Sequence, residues 1–188
     1  RRDLRALILQ HLNILTLSGR DFNKIINLVG PLTSNKKIVD FNSSMASFSR
    51  RIVNKNLRFK KILCFNQSKN ELRVIRKIFK DYKVDCNLLR SIKIPADMRQ
   101  VDVFVSFNDL GYVKDVDDFV LQVKKCLAKG GKFCFYIKHG ILNLTPNALL
   151  VEDKKKITEL FKSYKLQVNY VKKRRLFTTK IFIFGKKK

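Results

Sequence analysis

The chain has 188 residues, enough for one domain with a sizeable core and short for two. Hydrophobic residues make up 45% of it, which excludes an intrinsically disordered chain. It carries 41 Lys and Arg against 15 Asp and Glu, a formal net charge of +26; self-repulsion on that scale disfavours an isolated compact molecule and points to a polyanion, nucleic acid first and an anionic membrane surface second. The plain alternative is a low-GC, lysine-rich proteome, which the abundant Asn, Ile and Phe also fit.

Residues 1–30 read as helical. Leu4, Ile8, Leu12 and Leu15, with Leu7 beside them, fall on one face of a helix; Ser18-Gly19 breaks the run. Asp21 is placed to cap a second short helix through Val29, ended by Gly30-Pro31. From Lys36 the rhythm becomes alternating strands and helices. The spacing predicts strands at 38–40, 61–65, 84–89, 101–106 and 132–137. Helices are expected from Met45 to Asn54, after a Ser68 cap with Glu71 as its capping-box partner, from Val116 to Leu127, and from Glu152 to Tyr164. Gly130-Gly131 reads as a helix C-cap and turn. The runs Leu166–Lys172 and Thr178–Phe184 read as a hairpin turning on Lys173-Arg174-Arg175. Strict alternation implies parallel strands joined by helical crossovers, closed by antiparallel strands at one edge. The expected fold is therefore α/β, a doubly wound and mostly parallel sheet with a C-terminal antiparallel hairpin. A helical extension over residues 1–35 precedes one domain over residues 36–188.

Cys64, Cys86, Cys126 and Cys134 form no CxxC pair, and His11 and His139 stand far apart, so no metal site is expected. Cys64 and Cys134 lie in apolar runs as small buried hydrophobes, which suits a reducing compartment. No apolar run approaches 18 residues, so no transmembrane helix is expected. The chain opens at Arg1 rather than methionine, as a processed or trimmed chain would.

The stretch VDVFVSFNDLGYVKDVDDFVLQVKKCLAKGGKFCFYI, Val101 to Ile137, is similar to the fourth strand, helix, glycine turn and fifth strand of the class I S-adenosylmethionine-dependent methyltransferases. The tail from Ile157 resembles their last helix and last two strands, and the order of elements over 36–188 follows the same methyltransferase-like Rossmann pattern. The resemblance implies a cofactor loop after the first strand, with an acid and then G-x-G-x-G. Asp40 matches the acid, and the glycine positions fall on Asn42, Ser44 and Ala46. Those glycines serve close backbone approach and unusual dihedrals, so a side chain at each narrows the pocket. The ribose-binding acid at the end of the second strand is replaced by Asn66, which offers no charge-assisted pair. Near Arg90-Ser91, where the family often puts an acid beside the adenine amine, there is no carboxylate. After the fourth strand, Asn108-Asp109 stands where some nucleic-acid methyltransferases carry a D/N/S-P-P-aromatic motif. Asp40, Asn42, Ser44, Ala46 and Asn66 are thus vestigial cofactor positions, no catalytic residue is assigned, and no cofactor is expected. Asp40 also suits a role bracing the turn. Tyr112 and His139 are expected in loops at the carboxyl end of the sheet, where open α/β folds bind ligands.

Two dense basic runs are the candidate RNA contacts. One is Arg50, Arg51, Lys55, Arg58, Lys60 and Lys61; the other is Lys172, Lys173, Arg174 and Arg175 at the hairpin tip. The sequence thus supports three readings. The first is an inactive methyltransferase-like protein acting as a structural RNA-binding component of a large ribonucleoprotein, such as a mitochondrial ribosome or its assembly machinery, with RNA and other proteins as partners. The second is an active S-adenosylmethionine-dependent RNA methyltransferase with a diverged pocket. The third is a non-catalytic docking subunit of another protein complex.

Overall fold

The computed structural model describes residues 17–140, 145–175 and 178–188; the side chain of Arg175 and the expected helix before Ser18 lie outside the described residues. Helix α1 (Gly19–Val29) leads into strand β1 (Lys37–Phe41), a short 3-10 turn (Ser44–Ala46) and α2 (Ser47–Asn54). Then follow β2 (Lys61–Asn66), α3 (Lys69–Ile78), β3 (Val84–Leu88), β4 (Val101–Phe107), α4 (Asp109–Tyr112) and α5 (Val116–Cys126). The chain closes with β5 (Leu127–Gly140), α6 (Ala148–Glu152), α7 (Lys154–Ser163), β6 (Leu166–Arg175) and β7 (Thr178–Lys187). The strands form one seven-stranded sheet in the order β3-β2-β1-β4-β5-β7-β6. β3, β2, β1, β4 and β5 are mutually parallel, and β7 joins β5 and β6 antiparallel, as the alternation implies.

Period-two alternation builds a core on each face of the sheet. Val39, Phe41, Phe104, Phe133, Phe135, Ile181 and Ile183 point to one face, where they meet Phe119 and Val123 of α5 and Phe161 of α7. Phe133 and Phe161 stack at 5.3 Å between ring centroids, and Phe135 meets Phe161 edge-on at 5.4 Å. Ile38, Val103, Val105, Cys134, Tyr136 and Phe182 point the other way, against Phe22 and Ile25 of α1 and Phe48 and Ile52 of α2. α1 is held by more than burial. Asp21 accepts hydrogen bonds from Tyr136 Oη at 2.9 Å and Lys180 Nζ at 2.6 Å, tying the helix to β5 and β7.

Several local expectations shift. Ser18, not Asp21, is the N-cap of α1: its hydroxyl accepts from the Asp21 amide, and Asp21 is the helix's third residue. The segment expected as one helix from Met45 is split, because Met45 (φ 50°) and Ala46 (φ 48°) are left-handed, and regular helix begins at Ser47. Gly130 and Gly131 are not a helix cap. α5 ends at Cys126, and both glycines lie within β5, Gly130 at φ 72°. Lys173, Arg174 and Arg175 are not the hairpin turn either; they continue β6, paired with Lys180, Thr179 and Thr178. The helix expected from Glu152 begins at Lys154 as α7, capped by Asp153, which accepts from the Lys156 amide, and a separate short helix, α6, ends at Glu152.

Candidate functional site

The strand order reverses between β1 and β4, the place where open α/β sheets leave a crevice outside the strand carboxyl ends. A cleft of about 510 Å³ lies there, lined among others by Asn42, Ser44, Asn66, Glu71, Asp109 and Tyr112. Asn42, Ser44 and Asn66 are therefore brought together as expected. Asp40 and Ala46 are not in the lining. Both are fully buried, and Ala46 packs with Val53, Ile75 and Phe79 beneath α3.

The loop after β1 keeps a glycine-like path without glycine. Asn42 (φ 62°) and Ala46 (φ 48°), two of the three glycine positions, are left-handed. The conformation costs a residue with a Cβ on the order of 1 kcal/mol, less for Asn, so the surrounding contacts must hold it. They can be named. Asp40 Oδ2 accepts from the Ser49 amide at 2.9 Å and its hydroxyl at 2.6 Å, fastening α2 to β1. Burial pushes the Asp40 carboxyl up, and hydrogen bonds from Ser43 and Ser49 pull it back down. The bracing role expected of Asp40 is the one it has. The Met45 amide donates to Glu71 Oε2 at 2.7 Å.

Asn66 is spent on the protein. Its Nδ2 donates to the same Glu71 oxygen at 2.8 Å, and its Oδ1 accepts from the Ser68 amide at 2.7 Å. The capping-box pattern predicts that Glu71 returns to its own N-cap. The Ser68 hydroxyl does accept from the Glu71 amide, but the carboxylate turns to the β1 loop and to Asn66 instead. The amide of Asn66 and the acid of Glu71 satisfy each other.

Asn42 is committed across the cleft floor. Its Nδ2 donates to Asp109 Oδ1 at 2.8 Å, while the Ser106 hydroxyl donates to Asp109 Oδ2 at 2.6 Å. Asp109 is 1% exposed. Burial pushes its carboxyl up to about 7, against the pull of the Ser106 and Asn42 hydrogen bonds. The Asn42–Asp109 bond ties the β1 loop to α4. Next to it, Asn108, left-handed at φ 65°, accepts from the Lys138 amide at 2.7 Å and locks β4 to β5.

A pH dependence follows. The folded state holds the Asp109 proton more tightly than the unfolded chain does. The group's contribution to stability is therefore full below about pH 4 and is lost as pH rises to about 7. Asp109→Asn, which keeps an acceptor for Asn42 and offers a donor to Ser106, is expected to flatten that fall and to stabilise the protein at pH 8 by a few kcal/mol, roughly. Urea melts of both proteins at pH 5 and pH 8 check this; parallel curves would contradict it.

The other candidates lie elsewhere. His139 is in β5, not in an exposed loop; it is buried, with Nε2 3.2 Å from Glu152 Oε1. Tyr112 does reach the cleft, from α4, and is 55% exposed. The basic run at the hairpin end is partly engaged: Lys172 and Arg174 pair with Glu152, the latter at 3.2 Å, while Lys173 is exposed. In the other run Arg51 Nε donates to the Leu17 carbonyl at 2.9 Å and Lys61 pairs with Asp85 at 2.6 Å; Lys55, Arg58 and Lys60 are exposed and Arg50 is half-buried. The two runs do not form one patch. Lys61 opens β2, with Lys60 just before it, at the amino end of the parallel strands. Lys172–Arg175 lie beside Thr178–Ile181, which pair with His139 and Gly140 at the carboxyl end of β5. Among the described residues no cluster of metal-ligating side chains occurs, and no helix is long and apolar enough to cross a membrane.

Comparison with known proteins places this geometry. No curated protein matches the chain in sequence. The fold is similar to that of phosphoethanolamine N-methyltransferase 2 from Haemonchus contortus, solved with phosphomonomethylethanolamine and S-adenosylhomocysteine. The TM-score is 0.71 at 13% identity, over 90% of this chain and 53% of that one, so the chain spans about half the length of that enzyme. It is similar also to the YcgJ protein of Bacillus subtilis, with a TM-score of 0.71 at 9% identity over 91% of this chain and 99% of that one. A third likeness is to precorrin-6y C5,15-methyltransferase of Geobacter metallireducens, with a TM-score of 0.67 at 15% identity over 93% and 91%. At these identities the likeness shows the fold. A family model described as a methyltransferase domain matches residues 41–135, half of the chain, from the end of β1 to the middle of β5. With its sheet order, its β1/β4 crevice and this match, the chain belongs to the methyltransferase domain family.

Proposed function

We propose that this chain keeps the methyltransferase architecture without the cofactor chemistry, and serves as a structural RNA-binding component of a large ribonucleoprotein, a mitochondrial ribosome or its assembly machinery. The observation that carries the proposal is the internal network of the cleft: the groups that would face S-adenosylmethionine bond one another. Asn42 is held by Asp109, and Asn66 by Ser68 and Glu71. The glycine positions Asn42 and Ser44 bring side chains to the cleft lining, β2 itself ends in Asn66, and the neighbouring Glu71 carboxylate is engaged by Asn66 and the Met45 amide. To bind the cofactor, the site would have to give up hydrogen bonds already made, each costing about 1–3 kcal/mol if left unsatisfied in a buried place. These residues do not fit the cofactor, and no chemical step is assigned to them.

The RNA part of the reading rests on the net charge of +26 and on exposed cations such as Lys55, Arg58, Lys60 and Lys173. Equilibrium binding to RNA across a range of salt tests it. A specific observation favours a second reading, an active RNA methyltransferase: the cleft is still open at about 510 Å³, and its loop still runs left-handed at Asn42 and Ala46. Methyl transfer needs positioning more than acid–base help, so an open cleft would suffice if the cofactor entered. Tritiated methyl transfer to total RNA separates the two readings.

A further inference from the structure

We infer that the RNA-contacting surface of this protein is the amino-terminal edge of the parallel sheet, at the end opposite the cleft. The inference rests on the RNA-binding reading above. It locates the partner where neither the cofactor crevice nor the basic hairpin would put it. Register brings the cations together. Lys37 of β1 stands directly beside Lys61 of β2, and Lys132 of β5 beside Lys186 of β7. The Lys60 amide donates to the Lys36 carbonyl at 2.9 Å, and Lys187 Nζ reaches the Leu127 carbonyl at 2.7 Å. Residues as far apart in the chain as Lys36 and Lys187 thus share one edge.

Like charges in direct register destabilise a sheet unless an anion lies over them. The protein supplies little. Asp102 takes Lys36 at 3.5 Å, and Asp85 takes Lys61 at 2.6 Å. Lys60, Lys129 and Lys186 are exposed at the same edge. Between β1, β2 and β4 the edge is indented by a hollow of about 500 Å³, lined by Lys37, Lys60 and Lys61 with the polar Asn35 and Gln100 and a single carboxylate, Asp102, which already accepts from Lys36 and the Lys37 amide. From β2 across β1, β4 and β5 to β7 there are four strand spacings, about 19 Å at about 4.8 Å each, enough to follow several successive phosphates of one strand. A flexible phosphodiester chain matches a row of lysines on separate strand ends, because each lysine is a swivelling point charge that needs a phosphate within reach and no fixed base geometry. The cleft stays clear of the bound RNA, so the same edge suits a chain that binds RNA without modifying it.

The test compares three full-length proteins, each checked for an unchanged thermal melt, on a labelled single-stranded RNA of mixed sequence. One is wild type. The second carries Lys60→Gln, Lys61→Gln, Lys129→Gln and Lys186→Gln, and the third Lys173→Gln and Arg174→Gln. The four-lysine variant is expected to bind at least about tenfold more weakly, with a salt slope shallower by about 3, while the hairpin variant stays within about twofold of wild type. If the hairpin variant loses as much or more, the assignment to this edge is overturned and the RNA-binding reading stands. If wild type does not bind RNA, both are overturned, and binding to vesicles of anionic lipid instead would identify a membrane as the partner.

Discussion

Affinity for single-stranded RNA is expected to fall about 10³-fold as monovalent salt rises from about 50 to about 200 mM. The chain carries a net charge of +26, and several of its 15 acids are engaged within the fold. Asp40 and Asp109 are buried, and Asp21 and Glu152 are taken by lysine, arginine or histidine partners within the fold. About eight neutralised phosphates at a slope of about −0.7 each give this change over a fourfold rise in salt. A fluorescence-anisotropy titration at several salt concentrations reads it directly. Binding that changes less than about threefold over this range would contradict phosphate-dominated contact and would favour a docking subunit with an apolar interface.

Gly185→Ala is expected to cost more than about 3 kcal/mol, a large part of the roughly 5–15 kcal/mol that holds a domain together. Gly185 lies in β7, between β5 and β6, paired with Phe133 on one side and Val168 on the other. A methyl group there would sit 1.7 Å from the Gln167 carbonyl oxygen and 3.1 Å from the Phe133 ring. Backbone on one side and a packed aromatic on the other leave nothing flexible to give way, so β6 would have to leave the sheet. Gly130→Ala is the control: nothing lies near its added carbon, and only the left-handed φ of 72° is strained, costing about 1 kcal/mol. Urea melts of the three proteins check this. A Gly185→Ala protein within about 1 kcal/mol of wild type would mean that the closing hairpin is not packed as described.

The sheet was legible because Ile38-Val39, Ile62–Phe65 and Val101–Val105 are β-rich runs separated by helical periods, and that alternation leaves few topologies. The ends of elements were less so. Lys173–Arg175 and Gly130-Gly131 look like turns locally, yet pairing with β7 draws the first into β6, and the second lie within β5 where its register against β4 shifts, a tertiary effect that no local propensity carries. The candidate site was half legible. The positions Asn42, Ser44 and Asn66 could be found by aligning the loop with a known motif, and they do line one cleft. That Ala46 turns into the core was hidden, because it depends on α3 packing against the loop. The parts played by Glu71 and Asp109 were hidden too. Glu71 carried a capping signal that was correct for its backbone and silent about its carboxylate. Asp109 is drawn into the cleft floor by Asn42, 67 residues away. Of the basic amino-terminal edge only Lys60 and Lys61 stand out in sequence; strand register brings Lys37, Lys132 and Lys186 to the same edge.

On the proposed reading the architecture persists while the groups that would face the cofactor bond one another, Asn42 with Asp109 and Asn66 with Glu71. Calorimetric titration of the purified chain with S-adenosylmethionine tests it most directly. No heat of binding is expected up to about millimolar cofactor, an affinity weaker than about 4 kcal/mol of binding free energy. A saturating isotherm with micromolar affinity would contradict it.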